Sequence, residues 1–224
     1  MKLEERKKFL NKSLDTLSQM YDLIEGLQPI NIDTLKSENT CLVIIDMING
    51  FTREGALKSP RIEAIIPQIA DLSRTAHKIG MTRIAFADCH TDKSFEFESY
   101  PVHCKAGSSE SEIVDELKEI EGYHLFNKNS TNGFLEPEFK KWILQHEDLD
   151  TFIITGDCTD ICVMQFAVSL KTWFNLNDRK SRVIVPVNAV ETYDLGIHNA
   201  NLMNMFALNS MMGNGIEVVS EIIL

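Results

Sequence analysis

Four short apolar runs, each leading to a residue able to do chemistry, constrain this chain more than any other feature. Cys41-Leu42-Val43-Ile44-Ile45 ends at Asp46, and Thr82 to Ala87 ends at Asp88. Tyr123 to Phe126 leads to Lys128, and Thr151-Phe152-Ile153-Ile154-Thr155 leads through Gly156 to Cys162. The first of these reads as a central parallel strand buried on both faces, and the others as further strands. Segments of helical period separate them. Ile62, Ile65, Ile66, Ile69, Leu72 and Ala76 make one, closed by Gly80. A Ser109-x-x-Glu112 capping pattern starts a helix to about Ile120, and Pro137 to Gln145 is a third. Arg182 to Pro186, a helix near Ile197 to Met211, and Ile216 to Ser220 complete the alternation. Strands alternating with helices specify an α/β fold, a parallel sheet covered on both faces and joined by right-handed crossovers.

In such a sheet, ligands sit beyond the carboxyl ends of the strands. Asp46, Asp88, Lys128 and Cys162 all fall at those ends, so one rim gathers four reactive side chains. Cys162 opens an amphipathic segment after the Gly156 turn, and a helix N-terminus there supplies unpaired N–H groups and partial positive charge. It is the candidate nucleophile. Asp46 is the candidate proton acceptor and Lys128 the cation that stabilises the thiolate. His77, His124, His146 and His198 fall within or at the ends of elements and read as structural.

Asp88 and His90 are two residues apart, so both side chains leave an extended strand on one face, and His103 follows across the loop from Cys89 to Gly107. One carboxylate and two imidazoles suit a borderline divalent ion, Zn, Fe or Mn, with open coordination positions. Ser94 is a candidate further ligand, directly or through water. Five cysteines without a small-scaffold spacing read as free thiols in a reducing, cytoplasmic setting. A net charge of −11 argues against nucleic acid or anionic lipid as partner, and no apolar run reaches transmembrane length.

The segment Gly156-Asp157-Cys158-Thr159-Asp160-Ile161-Cys162-Val163, with Asp46-x-x-Asn49-x-Phe51 and Lys128-x-x-x-x-Gly133-Phe134, resembles the isochorismatase-like cysteine hydrolases over residues 40 to 220. Asp88-x-His90, Ser94-Phe95 and Tyr100-Pro101-x-His103-Cys104 are similar to the metal segment of the nicotinamidases, also called pyrazinamidases. Nicotinamidases usually carry Asp-Trp-His-Pro and a further His before Ser-Phe. Here Asp88-Cys89-His90-Thr91-Asp92-Lys93-Ser94 lacks that Trp, Pro and His.

The resemblance implies a three-layer Rossmann-like fold with a mostly parallel six-stranded sheet, as a hydrolase domain over 37–224 behind an N-terminal helical extension over 1–36. It implies an amidohydrolase converting nicotinamide to nicotinate and ammonia through a thioester on Cys162. Asp46 would shuttle the proton, and the backbone N–H groups of Cys158 and Cys162 would form the oxyanion hole beside a cis Asp157–Cys158 peptide. A metal on Asp88, His90 and His103, zinc first among the candidates, would orient the pyridine ring. Phe51, Tyr100 and Phe134 would contact the substrate. The alternatives are a hydrolase of another small amide or ureido compound, and an inactive homologue acting as a binding protein. No G-x-G-x-x-G follows the first strand, which sets aside a dinucleotide oxidoreductase.

Residues 3 to 27 place Leu3, Leu10, Leu14, Leu17, Tyr21 and Ile24 mostly three or four apart, stopped by Gly26 and Pro29. This amphipathic helix packs on its own domain or contacts another copy. With the Met-rich last helix, it favours a homo-oligomer.

Overall fold

The computed structural model describes residues 5–224. Nine strands are present among them: β1 (Ile30–Asn31), β2 (Thr40–Ile45), β3 (Thr82–Asp88), β4 (His124–Lys128), β5 (Thr151–Asp157), β6 (Arg182–Pro186), β7 (Val190–Glu191), β8 (Glu217–Val219) and β9 (Ile222–Ile223). Six form a wholly parallel sheet in the order β4-β3-β2-β5-β6-β8, and the short β7 pairs the far end of β5. The chain runs outward from β2 to β4, then returns to β5 on the other side of β2. That reversal is the switch point beside which ligands bind. Pairing of Asp88 with Lys128 and of Ile45 with both Phe86 and Gly156 sets the rim residues at one level.

Strand alternation divides β2 between two cores. Leu42 and Ile44 meet Ile66, Ile69, Leu72 and Ala76 on one face; Val43 and Ile45 meet Phe126, Phe139, Phe166 and Phe174 on the other. The covering helices are α1 (Arg6–Glu25), α2 (Asn49–Thr52), α3 (Pro60–Glu63), α4 (Ile66–Lys78), α5 (Asp115–Lys118), α6 (Pro137–Gln145), α7 (Met164–Leu176) and α8 (Ala200–Gly213). No helix among the described residues is long and apolar enough to cross a membrane.

Three helices depart from the sequence expectation. The segment from Ser109 to Ile120 is one 3-10 turn, Ser109–Ser111, followed by the single-turn α5. Glu112 is extended because the chain there pairs with the stretch after β2. Asn49 N donates to Glu112 O, Val114 N donates to Met47 O, and Ile113 bridges Ile48, burying Ile113 and Val114. Tertiary pairing outweighs the capping pattern. The segment from Ile62 to Ala76 is two helices, broken at Ala64–Ile65 ahead of Pro67, which lacks an N–H and sits in the first turn of α4. The last helix starts at Ala200, where the Asn199 side chain accepts from Leu202 N, because residues 195–198 form a closed turn.

Leu3 lies outside the described residues. From Arg6 onward α1 exists, with Leu17, Met20 and Ile24 half-buried and Leu10, Leu14 and Tyr21 exposed. Ile24 and Leu27 pack on the phenylalanine-rich core. The following segment is stitched in through β1, which pairs with β9, and through the buried Ile32 and Leu35.

Candidate active site

At the end of β2 the chain turns sharply and Asp46 takes a positive φ of 55°. Aspartate tolerates this conformation better than most residues. The turn is held by Asp46 N donating to Phe86 O, 3.0 Å, and by Asp46 Oδ1 accepting from Asp88 N, 2.9 Å. Lys128, wholly buried at the end of β4, extends its ammonium into this turn. Its Nζ lies 2.8 Å from Asp46 Oδ2, donates to Asp88 Oδ1, and donates to Cys162 Sγ at 3.7 Å. Cys162 is on a π-helical turn, Thr159–Val163, which opens α7. Gly156 is required before it: φ is 110°, and a Cβ there would stand 1.9 Å from Ile45 O on the neighbouring strand. The Asp157–Cys158 peptide is cis. Asp46, Lys128 and Cys162 thus come together as the sequence suggested.

Burial pushes the Asp46 carboxyl up, Lys128 opposes it, and the balance is about 7. A group there can both take and return a proton at neutral pH. Burial works against the charged form of Lys128, but Asp46 and Asp88 outweigh it and hold the ammonium well above its ordinary value. Burial also raises the Cys162 thiol, against the pull of Lys128. The resting site therefore holds a protonated thiol and an Asp46 carboxyl poised to exchange a proton, both beside a fixed cation.

One further step along the rim, Asp88, His90, Glu96 and His103 bring four ligand atoms within 4.8 Å of one another. His90 Nε2 lies 3.5 Å from both Asp88 Oδ1 and Glu96 Oε2, and His103 Nε2 lies 3.9 Å from Asp88 Oδ2. His90 Nε2 and Glu96 Oε2 are buried without a hydrogen bond, converging on the point a cation would occupy. His103 Nδ1 faces Pro101 O at 2.7 Å, so it carries the proton and leaves Nε2 free to ligate. Two imidazoles and two carboxylates fit a divalent metal. The grouping of Asp46, Asp88 and Cys162 is equally tight, but the Lys128 ammonium already balances it.

Glu96 was not legible as a ligand from the sequence, and Ser94 occupies a different place from the one expected of it. The Ser94 hydroxyl sits 3.3 Å from His90 Nδ1, on the ring nitrogen facing away from the cluster, and accepts from Glu96 N at 3.4 Å. Ser94 thereby caps the 3-10 turn Phe95–Glu98 that carries Glu96 inward. Glu96 Oε2 thereby adds a fourth donor to Asp88, His90 and His103.

A pocket walled by Phe51, Leu57, Tyr100, Ile161 and Tyr193 is lined by residues of both groups, His103 and Cys162 among them. Phe51 and Tyr100 line it as expected. Phe134 does not: it belongs to the aromatic core, edge-on to Phe139 and Phe166 and beside Trp173. Gly133 before it packs on the same core, so close to Phe86 that a Cβ would meet the ring at 2.7 Å. Tyr193 comes from the irregular segment after β7, where no periodic pattern marks it. It stacks on His198 with centroids 4.1 Å apart, and His198 Nε2 lies 2.9 Å from Asp160 Oδ2 on the nucleophile turn. His198 thus joins that turn to the pocket wall.

All five cysteines are free. Burial pushes the Cys41 and Cys104 thiols far up, whereas Cys89 is half-exposed. Iodoacetamide at neutral pH is therefore expected to modify Cys89 in the native protein and to reach Cys41 and Cys104 only on unfolding, as mapped by peptide mass spectrometry. Labelling of Cys41 or Cys104 at the rate of Cys89 would contradict the packing described.

The isochorismatase domain pattern matches residues 40–217. Over 215 residues the chain is 30% identical to nicotinamidase 1 of Arabidopsis thaliana, covering 81% of this chain and 85% of that protein. It is 26% identical over 217 residues to the nicotinamidase of Acinetobacter baylyi, covering 84% and 95%. Among solved structures, the pyrazinamidase of Pyrococcus horikoshii in complex with zinc superposes with a TM-score of 0.67 at 24% identity, covering 81% of this chain and 98% of that one. With the matched pattern spanning every residue of the Asp46–Lys128–Cys162 site, the chain belongs to the isochorismatase family.

Proposed function

We propose that this protein is a metal-dependent nicotinamidase, a cysteine hydrolase that cleaves the carboxamide of nicotinamide to give nicotinate and ammonia. One observation carries the reading: a single aromatic-walled pocket is lined both by the Cys162 thiol and by Asp88, Glu96 and His103 of the four-donor cluster. A flat ring bearing an amide meta to a ring nitrogen could present the amide to the thiol and the nitrogen to the metal.

In the reaction, Asp46 takes the proton of Cys162 and the thiolate attacks the carboxamide carbon. Lys128 keeps both groups in their charged states during the transfer. The N–H groups of Cys158 and Cys162 receive the developing oxyanion. Asp46 returns its proton to the leaving nitrogen, ammonia departs and a thioester on Cys162 remains. Asp46 then accepts a proton from water, which attacks the thioester and releases nicotinate with the thiol restored. The metal, for which we propose zinc, supplies a Lewis-acidic site for the pyridine nitrogen and so fixes the ring. Asp88, His90, Glu96 and His103 would hold it, while Phe51 and Tyr100 sandwich the ring and exclude water.

Ammonia release from nicotinamide by the metal-loaded protein tests the reading. Chelation, or His103→Ala, is expected to lower turnover about 10²-fold through loss of ring positioning, with metal content falling in parallel. Reloading should restore the chelated wild type. Turnover of N-carbamoyl amino acids in place of nicotinamide, unaffected by chelation, would assign the site to ureido substrates instead.

A further inference from the structure

The amphipathic α1 stands outside the catalytic chemistry, and its exposed face has a self-complementary design. Leu10, Leu14 and Tyr21 are 48%, 66% and 60% exposed. At about 100° per residue they fall within roughly 40° of one another, and Leu17 borders them. With Ile24 the spacing is four, three, four, three, the repeat of a coiled-coil seam. Ile24 packs on the domain's own core while Leu17 is half-exposed, so the seam is fixed in orientation and its outer part faces solvent.

Charge is segregated along the same helix. Arg6, Lys7, Lys8 and Lys12 occupy its first third, and Asp15, Asp22 and Glu25 follow. Lys7 and Glu25 project on the same flank of the stripe, since eighteen positions make five full turns at 3.6 residues per turn. Each copy thus presents a positive end and a negative end beside one apolar stripe. A parallel partner would set like charges together; an antiparallel partner sets opposite charges together.

We propose that α1 is the dimerisation element of this protein, pairing antiparallel with α1 of a second copy about a two-fold axis near residues 15 and 16. Leu10 of each copy then meets Tyr21 of the other, Leu14 meets Leu17, and Lys7 stands within one residue of the level of Glu25. The contact is isologous, so every pairing occurs twice.

Sedimentation velocity on the full-length protein at about 50 µM tests this, a concentration well above the dissociation constant of an ordinary specific dimer. The expected mass is twice the chain's 25.4 kDa. Leu14→Glu with Tyr21→Glu should give a monomer of unchanged circular dichroism and unchanged turnover. Lys7→Glu should weaken the dimer about tenfold through its two repulsive pairs, and Lys7→Glu with Glu25→Lys should restore it. A monomeric wild type, or a dimer indifferent to the Leu14/Tyr21 pair, overturns the proposal. A charge swap that fails to restore the dimer overturns the antiparallel arrangement.

Discussion

Cys162→Ala is expected to abolish ammonia release, by about 10⁴-fold or more, while leaving the protein folded and metal-loaded. Losing a nucleophile that acts together with its base removes nearly all the chemical acceleration, because the remaining groups have nothing to activate. The fold should tolerate the change. Cys162 contributes one buried sulfur, and the Lys128 ammonium that faces it keeps both Asp46 and Asp88 as partners. Loss of a single small buried group costs about 1 kcal/mol, within the margin of a domain stable by about 5–15 kcal/mol. The decisive measurement pairs steady-state turnover with mass spectrometry of the acid-quenched enzyme. Wild type should accumulate a nicotinoyl adduct on Cys162 whenever deacylation limits turnover, and the variant should show none. Turnover within tenfold of wild type in Cys162→Ala would dismiss the thioester route.

The catalytic rim was readable in the sequence because a parallel sheet converts a linear pattern into a spatial one. The central strands announce themselves as apolar runs and the edge strand β4 by its short Leu125-Phe126 pair, and the residue that ends each lies on the carboxyl edge with the others. Asp46, Asp88 and Lys128 needed nothing more. Residues placed by irregular backbone had no such rule. Glu96 reaches the metal cluster from a 3-10 turn whose only marker is the Ser94 cap, and a glutamate among Glu96, Phe97 and Glu98 looks like an ordinary surface charge. Tyr193 depends on its stacking against His198, a contact set by the path of the chain between β7 and α8. The error over Ser109 to Ile120 has the opposite cause. A local capping signal was present, but pairing of Ile113 with Ile48 and burial of Val114 stabilise the extended form more than one cap stabilises a helix. Phe134 was misplaced for a related reason: the motif fixes its sequence position, while packing against Phe139, Phe166 and Trp173 holds its ring in the core.

Lys128→Met is expected to damage stability as well as activity, costing about 3–5 kcal/mol of folding free energy. Methionine fills most of the volume, so the effect isolates the charge. In the wild type the ammonium has no exposure to water and is shared between two buried carboxylates, with Asp46 Oδ2 at 2.8 Å. Without it, Asp46 and Asp88 face each other across the turn with no cation between them, unless one takes up a proton or metal on the far side of Asp88 offsets part of the repulsion. Urea unfolding of the metal-free protein measures the full term, and metal should recover part of it. Asp46→Asn in the Lys128→Met background removes one of the stranded charges. The double variant is therefore expected to be more stable than Lys128→Met alone, the non-additivity that marks a coupled pair. A Lys128→Met protein within about 1 kcal/mol of wild type at every pH from about 6 to 9 would mean that the carboxylates hold the same protons in both proteins and are already neutral in the resting enzyme. Asp46 could not then serve as the base in that state, because a protonated carboxyl has no lone pair basic enough to take the thiol proton. The stability of this one variant thus reports on the protonation state that the proposed chemistry requires.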